Sequence, residues 1–281
     1  MKSGICVDLE TLLSYRKYGD CIRYPLSASP HIGNGYSGLR GNGYDLYGIR
    51  KYQPGDSFRR VNYQATARTG DIHLNEYFEE RVLSAHILLD QSSHLFFSST
   101  GRMKSVVAAE KAAELLFCYQ LKGHRVSGEV FNNKNYVNFF PTDNVGICEG
   151  WLSDVVSFNQ ALVTAPYECC SSSLTKALER CMDNNLSGKE LYLITDFMLC
   201  EPEKCIPLLV TLSHENRIYL IQITDRLEDN PPLDVWLCGA SGYVKYDRKM
   251  YQSYKKRRND RRRQIVDISR QYGFFCSELY T

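Results

Sequence analysis

Apolar positions in residues 1–30 form one short helical pattern, with Leu9, Leu12 and Leu13 on a stripe beside Tyr15 and Tyr18. Residues 33–48 interrupt it with Gly33, Gly35, Gly38, Gly41, Gly43 and Gly48, a texture that predicts a loop or hairpin. From about 49 to 80, short strand-like pieces are separated by turns. The clearest is Gln53-Pro54-Gly55-Asp56, in which proline presets one torsion and glycine supplies the positive φ of a type II turn. After Val82 strands and helices alternate. Leu83–Leu89 is a short apolar run ending at Asp90. Lys104–Leu121 carries Val106, Ala109, Ala113 and Leu116 on one helical stripe. Arg125–Phe131 and Tyr136–Phe140 read as strands around a turn at Asn132–Asn135. Leu174–Met182 reads as a helix, Leu191–Thr195 as a strand and Ile218–Ile223 as another, with Pro202 opening a helix to Ser213 between them. This alternation predicts an α/β body with a mainly parallel sheet covered by helices on both faces. The expected division is a β-rich extension with one helix and the glycine-rich loop over 1–81, the α/β domain over 82–248, and a basic helix packing on it over 249–281.

Composition narrows the functional classes. The chain has 281 residues, 43% apolar and 23% charged, as globular proteins do. Its net charge of +2 argues against a surface built for bulk nucleic-acid binding. No apolar run reaches the roughly 18–20 residues that span a bilayer. Asp8 and Glu10 interrupt the region where a signal peptide would have its apolar core, so a cytoplasmic location is expected. The 11 cysteines are odd in number and contain no Cys-x-x-Cys pair, which points to reduced thiols. The 20 tyrosines suggest half-buried surfaces with a polar rim.

Gly33, Gly35 and Gly38 spell a G-x-G-x-x-G, but Ser27-Ala28-Ser29-Pro30 precedes them and more glycine follows, so the strand–turn–helix of a dinucleotide site is not predicted. Neither a Walker A loop, an H-E-x-x-H nor a G-x-S-x-G elbow occurs. The informative segment is Asp90-Gln91-Ser92-Ser93-His94, directly after the first strand of the α/β body. Ligands of open parallel sheets bind beyond the carboxyl ends of the strands. Asp90 and Asp196 both stand at such ends. Two carboxylates with Ser92 nearby, and a further hydroxyl from Ser171-Ser172-Ser173, are oxygen ligands suited to a hard divalent cation. The alternative is that both aspartates simply end strands and cap the segments after them.

Gly43-Tyr44-Asp45, Arg50 to Asp56, Arg59-Arg60-Val61-Asn62-Tyr63, Ala67-Arg68 and Glu79-Glu80-Arg81, running into Asp90-x-Ser92, resemble the signature of the domain of unknown function 58 family. That family comprises von Willebrand factor A-like proteins commonly encoded beside MoxR-type AAA+ ATPases, and the resemblance spans roughly 33–225. It implies a von Willebrand A-like, Rossmann-like domain with a metal-ion-dependent adhesion site. Asp90 and Ser92 match the first two positions of its D-x-S-x-S, Ser172 falls where a threonine stands, and Asp196 matches the last aspartate. The implied cofactor is Mg2+ or another divalent cation. His94 departs from the family serine, and a neutral imidazole is a poor Mg2+ ligand. Val61-Asn62-Tyr63 in place of Ile-Asp-Trp, and Gly48-Ile49-Arg50 in place of Asp-Leu-Arg, mark a divergent member. A cation held by carboxylates and hydroxyls keeps an open position for a partner's carboxylate. The expected function is therefore a non-enzymatic interaction module, an adaptor or assembly factor for a MoxR-type ATPase or its client.

Residues 255–263 hold seven basic residues and one acid. They read as a solvated helix face, with Ile265, Val266 and Ile268 packing behind it, or as a contact for an acidic partner or nucleic acid. Lys255, Lys256, Arg257 and Arg258, with Arg59, Arg60 and Arg68, are the candidate partner-binding residues; the three N-terminal arginines can equally pair with Glu79 and Glu80. Two rival functions stay open: a metal-dependent phosphoryl hydrolase using Asp90 and Asp196, and a nucleic-acid binder using 255–263.

Overall fold

The computed structural model describes residues 4–18, 36–80, 84–166, 168, 172–198, 201–239 and 242–281, with side chains undescribed at 36–47, 77–80, 236–239 and 242–244. The candidate Gly33, Gly35, Arg81 and Ser171, and the side chains of Glu79 and Glu80, lie outside what is described. The chain forms two compact units divided at Ile22 and Leu83.

The first helix, α1 (Leu9–Ser14), is capped by Asp8, whose carboxylate accepts from Thr11 N at 2.6 Å. It packs on helices of the α/β unit, so residues 4–18 belong there and not with the extension expected over 1–81.

The small unit is a hairpin-like pair, β1 (Tyr36–Lys51) and β2 (His73–Glu80), antiparallel and linked through α2 (Tyr63–Thr69). The glycine-rich stretch predicted as a loop is therefore largely strand. Its register slips between Ser37 and Arg40, Gly41 and Leu46, and Leu46 and Gly48, which is how glycine-bearing strands accommodate bulges. Gly55 takes φ +102° in the predicted turn, and Asp56 N donates to Gln53 O at 3.1 Å. Arg50 grips Asp56 with two bonds of 2.6 Å and reaches Glu76 at 2.8 Å, while Asp56 also accepts from Gln53 N. The Arg50 guanidinium holds the Asp56 carboxyl down at about 2. Asn62 caps α2 by accepting from Ala65 N.

The α/β unit continues with β3 (Ser84–Asp90), α3 (Lys104–Leu121), β4 (Arg125–Phe131), β5 (Tyr136–Thr142), α4 (Val145–Ala161), α5 (Ser173–Asp183), β6 (Glu190–Thr195), α6 (Pro202–Ser213), β7 (Arg217–Thr224), α7 (Arg226–Asp229), the small hairpin β8 (Val235–Gly239) and β9 (Gly242–Tyr246), α8 (Arg248–Tyr272) and β10 (Phe275–Tyr280). Six strands form one sheet in the order β10-β7-β6-β3-β4-β5, parallel except for β5. This is the α/β architecture expected, a doubly wound sheet. Strands β3, β4, β6 and β7 are buried almost throughout, because helices cover both faces. Helices α3, α4 and α1 pack together, and α5, α6 and α8 contribute Leu178, Leu209 and Ile265 to a core with Leu88, Leu193 and Leu220. The segment 249–281 does more than the predicted helix: after the C-cap Gly273 (φ 72°) it supplies β10, which pairs with β7. Among the described residues no helix is long and apolar enough to cross a membrane.

Candidate functional site

Strand order reverses between β3 and β6, where the chain winds outward in opposite directions, and the crevice beyond their carboxyl ends is the general ligand position of such sheets. Asp90 ends β3 and Asp196 follows β6, so the fold brings together two carboxylates 106 positions apart in the numbering. Both are buried, at 1% and 3% exposure. Asp90 Oδ1 accepts from Ser92 N at 2.9 Å, the local bond of an Asx-turn, and its Oδ2 accepts from Thr195 Oγ1 at 2.7 Å. Asp196 Oδ1 accepts from Met198 N at 3.0 Å, and its Oδ2 from Lys104 Nζ at 2.8 Å. His94 stands between the two carboxylates, Nε2 at 3.4 Å from Asp90 Oδ2 and 3.3 Å from Asp196 Oδ1.

Burial opposes charge on these groups, and their neighbours overrule it. For His94, desolvation is outweighed by Asp90 and Asp196, which raise its pKa to about 10. For Lys104, desolvation is outweighed by Asp196 and Glu228, which raise it to about 12. Burial would push the Asp196 carboxyl up, but Lys104 and His94 hold it below the ordinary carboxylate range. At neutral pH the Asp196 carboxylate therefore faces an imidazolium at His94 and an ammonium at Lys104.

The network continues outward. Lys104 also donates to Glu228 Oε1 at 2.7 Å; Glu228 meets Arg258 at 3.3 Å; Arg258 binds Asp229 at 2.7 Å; and Arg262 lies 4.0 Å from Asp229 and bonds Glu278. Acid and base alternate from the end of β3 to the edge strand β10. A second chain of bonds fixes the loop after β3: Gln91 Nε2 donates to Ser105 O, Asn159 Nδ2 to Gln91 Oε1, and Val7 N to Asn159 Oδ1.

The structure thus unites Asp90, Ser92, His94 and Asp196. Ser172 stands at the N-cap position of α5, half-buried. Lys255, Lys256 and Arg257 are exposed on α8. Arg258 departs from the expected partner-binding set: at 7% exposure it turns inward to Glu228 and Asp229. Arg59 and Arg68 are exposed and Arg60 half-buried, all in the small unit.

A hard divalent cation needs several oxygen ligands at roughly 2.0–2.6 Å. Here all four carboxylate oxygens already accept hydrogen bonds, and two positive side chains lie within 3.4 Å of them. Ser92 Oγ is buried with no hydrogen-bond partner among the described residues, but one hydroxyl cannot hold a divalent ion. The residues present do not fit such an ion as they stand.

Lys104, Thr195 and Glu228 are the site members that the sequence reading missed. Lys104 had a signal: a lysine in the first turn of a helix opposes the macrodipole, and such a placement ahead of an apolar stripe calls for a specific acidic partner. Glu228 had none, since α7 is one short turn whose position depends on the whole sheet.

The family description "Protein of unknown function DUF58" matches residues 48–237. Uncharacterized protein Rv1480 of Mycobacterium tuberculosis and Uncharacterized protein Mb1516 of Mycobacterium bovis are each 32% identical over 83 residues, 30% of this chain. The matched region spans 26% of each of those relatives. Among solved structures, the conserved hypothetical protein BatB from Bacteroides thetaiotaomicron superposes with a TM-score of 0.40 at 12% identity, covering 71% of this chain and 91% of its own. An aerotolerance-related membrane protein from Bacteroides fragilis gives 0.30 at 12% identity, over 68% and 98%. The two superpositions are loose, so the fold assignment rests on the strand order and pairing of the sheet itself. Because the match runs from Gly48 through the Arg50–Asp56 turn and the strand-end aspartates to Leu237, the chain belongs to the protein family of unknown function DUF58.

Proposed function

We propose that this chain is a non-enzymatic protein-interaction module, an adaptor or assembly factor working in the cytoplasm with a MoxR-type AAA+ ATPase or that ATPase's client. The observation that carries the reading is the state of the two strand-end aspartates. Both are buried and committed to internal cations, hydroxyls and backbone amides, so neither is placed to act as an open general base or nucleophile toward a substrate. A site of this kind instead stiffens the loops at the ligand edge of the sheet. Phe97, in the loop after β3, is 39% exposed and lies over that edge, its ring centroid 5.9 Å from Lys104 Nζ. The exposed Lys255, Lys256 and Arg257 on α8 add a basic patch suited to an acidic partner surface. The choice of ATPase rests on the family resemblance, and the free thiols of Cys148, Cys181 and Cys276 suit a reducing compartment.

Biolayer interferometry between the purified chain and a purified MoxR-type ATPase from the same organism tests the proposal. A Kd of about 10 μM or tighter, weakened about tenfold or more by Phe97→Asp, is the expected result. Absence of binding, or a phosphatase activity abolished by Asp90→Asn, overturns it.

A further inference from the structure

We propose that the strand-end site is neutralised from within: the Lys104 ammonium, with the His94 ring beside it, stands in for the divalent cation that an adhesion site of this type would hold, and the protein takes no metal there. The inference does not depend on the identity of any partner.

Three observations carry it. The first is position. Lys104 Nζ lies 2.8 Å from Asp196 Oδ2 and 2.7 Å from Glu228 Oε1, with the side chain 2% exposed, so a positive group already occupies the space in front of the Asp196 carboxylate. His94 Nε2 bridges the two aspartates from the side, and its side chain is 7% exposed. A divalent ion coordinated by the same oxygens would sit within a few ångströms of both groups, in a desolvated setting where charge repulsion is poorly screened.

The second is that Lys104 is held from its far side. Glu228 bonds both Lys104 and Arg258, and Arg258 also bonds Asp229. Swinging Lys104 out to admit an ion would break this half-buried chain as well as the bond to Asp196. The ring of Phe97 closes over the ammonium at 5.9 Å, which further favours a cation at that point.

The third is cost. Lys104 opens α3, where the helix N-terminus repels positive charge. A buried lysine at that place is tolerated only if carboxylates compensate it, and Asp196 and Glu228 do so. Ser92 Oγ, buried with no hydrogen-bond partner among the described residues, is not reached by either positive group.

Titration with Mn2+ followed by EPR, with Mn2+ and EDTA also added to thermal melts, tests the proposal. Wild type is expected to show no saturable Mn2+ binding up to millimolar concentration, and a melting midpoint moved by neither Mn2+ nor EDTA. The double variant His94→Ser, Lys104→Met is expected to gain saturable binding, about tenfold or more tighter than wild type, which adding Asp196→Asn abolishes. Saturable binding by wild type that Asp196→Asn removes overturns the proposal, and so does a folded double variant no better than wild type. If the double variant does not fold, the wild type decides alone: a midpoint raised by Mn2+ and lowered by EDTA overturns the proposal, and an unmoved one upholds it.

Discussion

Lys104 and His94 show how a buried charge becomes tolerable only as part of a set. Removing one member of such a set leaves the others uncompensated in low dielectric, which typically costs about 3–5 kcal/mol. Lys104→Met is expected to lower stability by that amount in urea denaturation, whereas Lys255→Met, on the exposed face of α8, is expected to change it by less than about 0.5 kcal/mol. Two buried histidines are driven in opposite directions. Beside carboxylates, His94 is raised to about 10; His86, desolvated and facing Lys189, is lowered to about 3. For His86 the unfolded chain takes up a proton near the ordinary 6.5 while the folded chain does not until about 3. Its contribution to stability is therefore complete above 6.5 and is lost as pH falls from 6.5 toward 3. The stability difference between wild type and His86→Leu is expected to shrink by about 1.4 kcal/mol for each pH unit below 6, read from urea midpoints. At this scale the sequence showed Asp90, Ser92 and Asp196, because strand ends can be read from apolar runs. It did not show the Lys104 ammonium beside Asp196 or the Glu228 and Arg258 that hold it, since these three come from three elements whose meeting depends on the strand order.

Elements with strong periodicity were legible: Lys104–Leu121 emerges with the bounds its apolar stripe predicts, and Pro202 opens α6. Those without it were not. β1 is rich in glycine, which has no side chain to mark the two-residue period of a strand, and its register shifts would blur that period further. β10 is an edge strand whose residues are half-buried or exposed without regular alternation, so it reads as an appendage to the helix before it. Gly128 shows the opposite case, a glycine required inside a central strand. A Cβ there would lie 3.0 Å from Ile87 O, 3.0 Å from Phe139 Cε1 and 3.3 Å from Trp151 Cζ2. Gly128→Ala is expected to cost about 1–3 kcal/mol by overpacking, measured by chemical denaturation, while Gly150→Ala on α4, where a Cβ meets nothing within 4 Å, is expected to be neutral or stabilising.

In the α/β unit taken whole, β10 closes one side of the sheet. Its neighbour β7 would otherwise present Tyr219, Ile221 and Ile223 along an unpaired edge. Thr281 ties this strand to the ligand edge, bonding Asp225, which also holds Ser99 in the loop after β3. Deleting residues 274–281 is expected to lower the melting midpoint and raise light scattering at constant concentration, since an exposed apolar strand edge templates association. A full-length midpoint in the shortened chain would contradict that role.

The placement of α1 sets a problem of timing during synthesis. This helix leaves the ribosome well before α3 and α4, against which it packs and which begin at Lys104 and Val145. At roughly 5–20 residues per second, the interval before α3 begins to emerge is on the order of 5–20 s. The small unit, drawn from one contiguous stretch, is complete in the meantime. Order of birth and order of docking are thus inverted. For some seconds the nascent chain carries the apolar face of Leu12, fully buried in the finished protein, with nothing to rest against, which is the circumstance in which a general chaperone has something to hold.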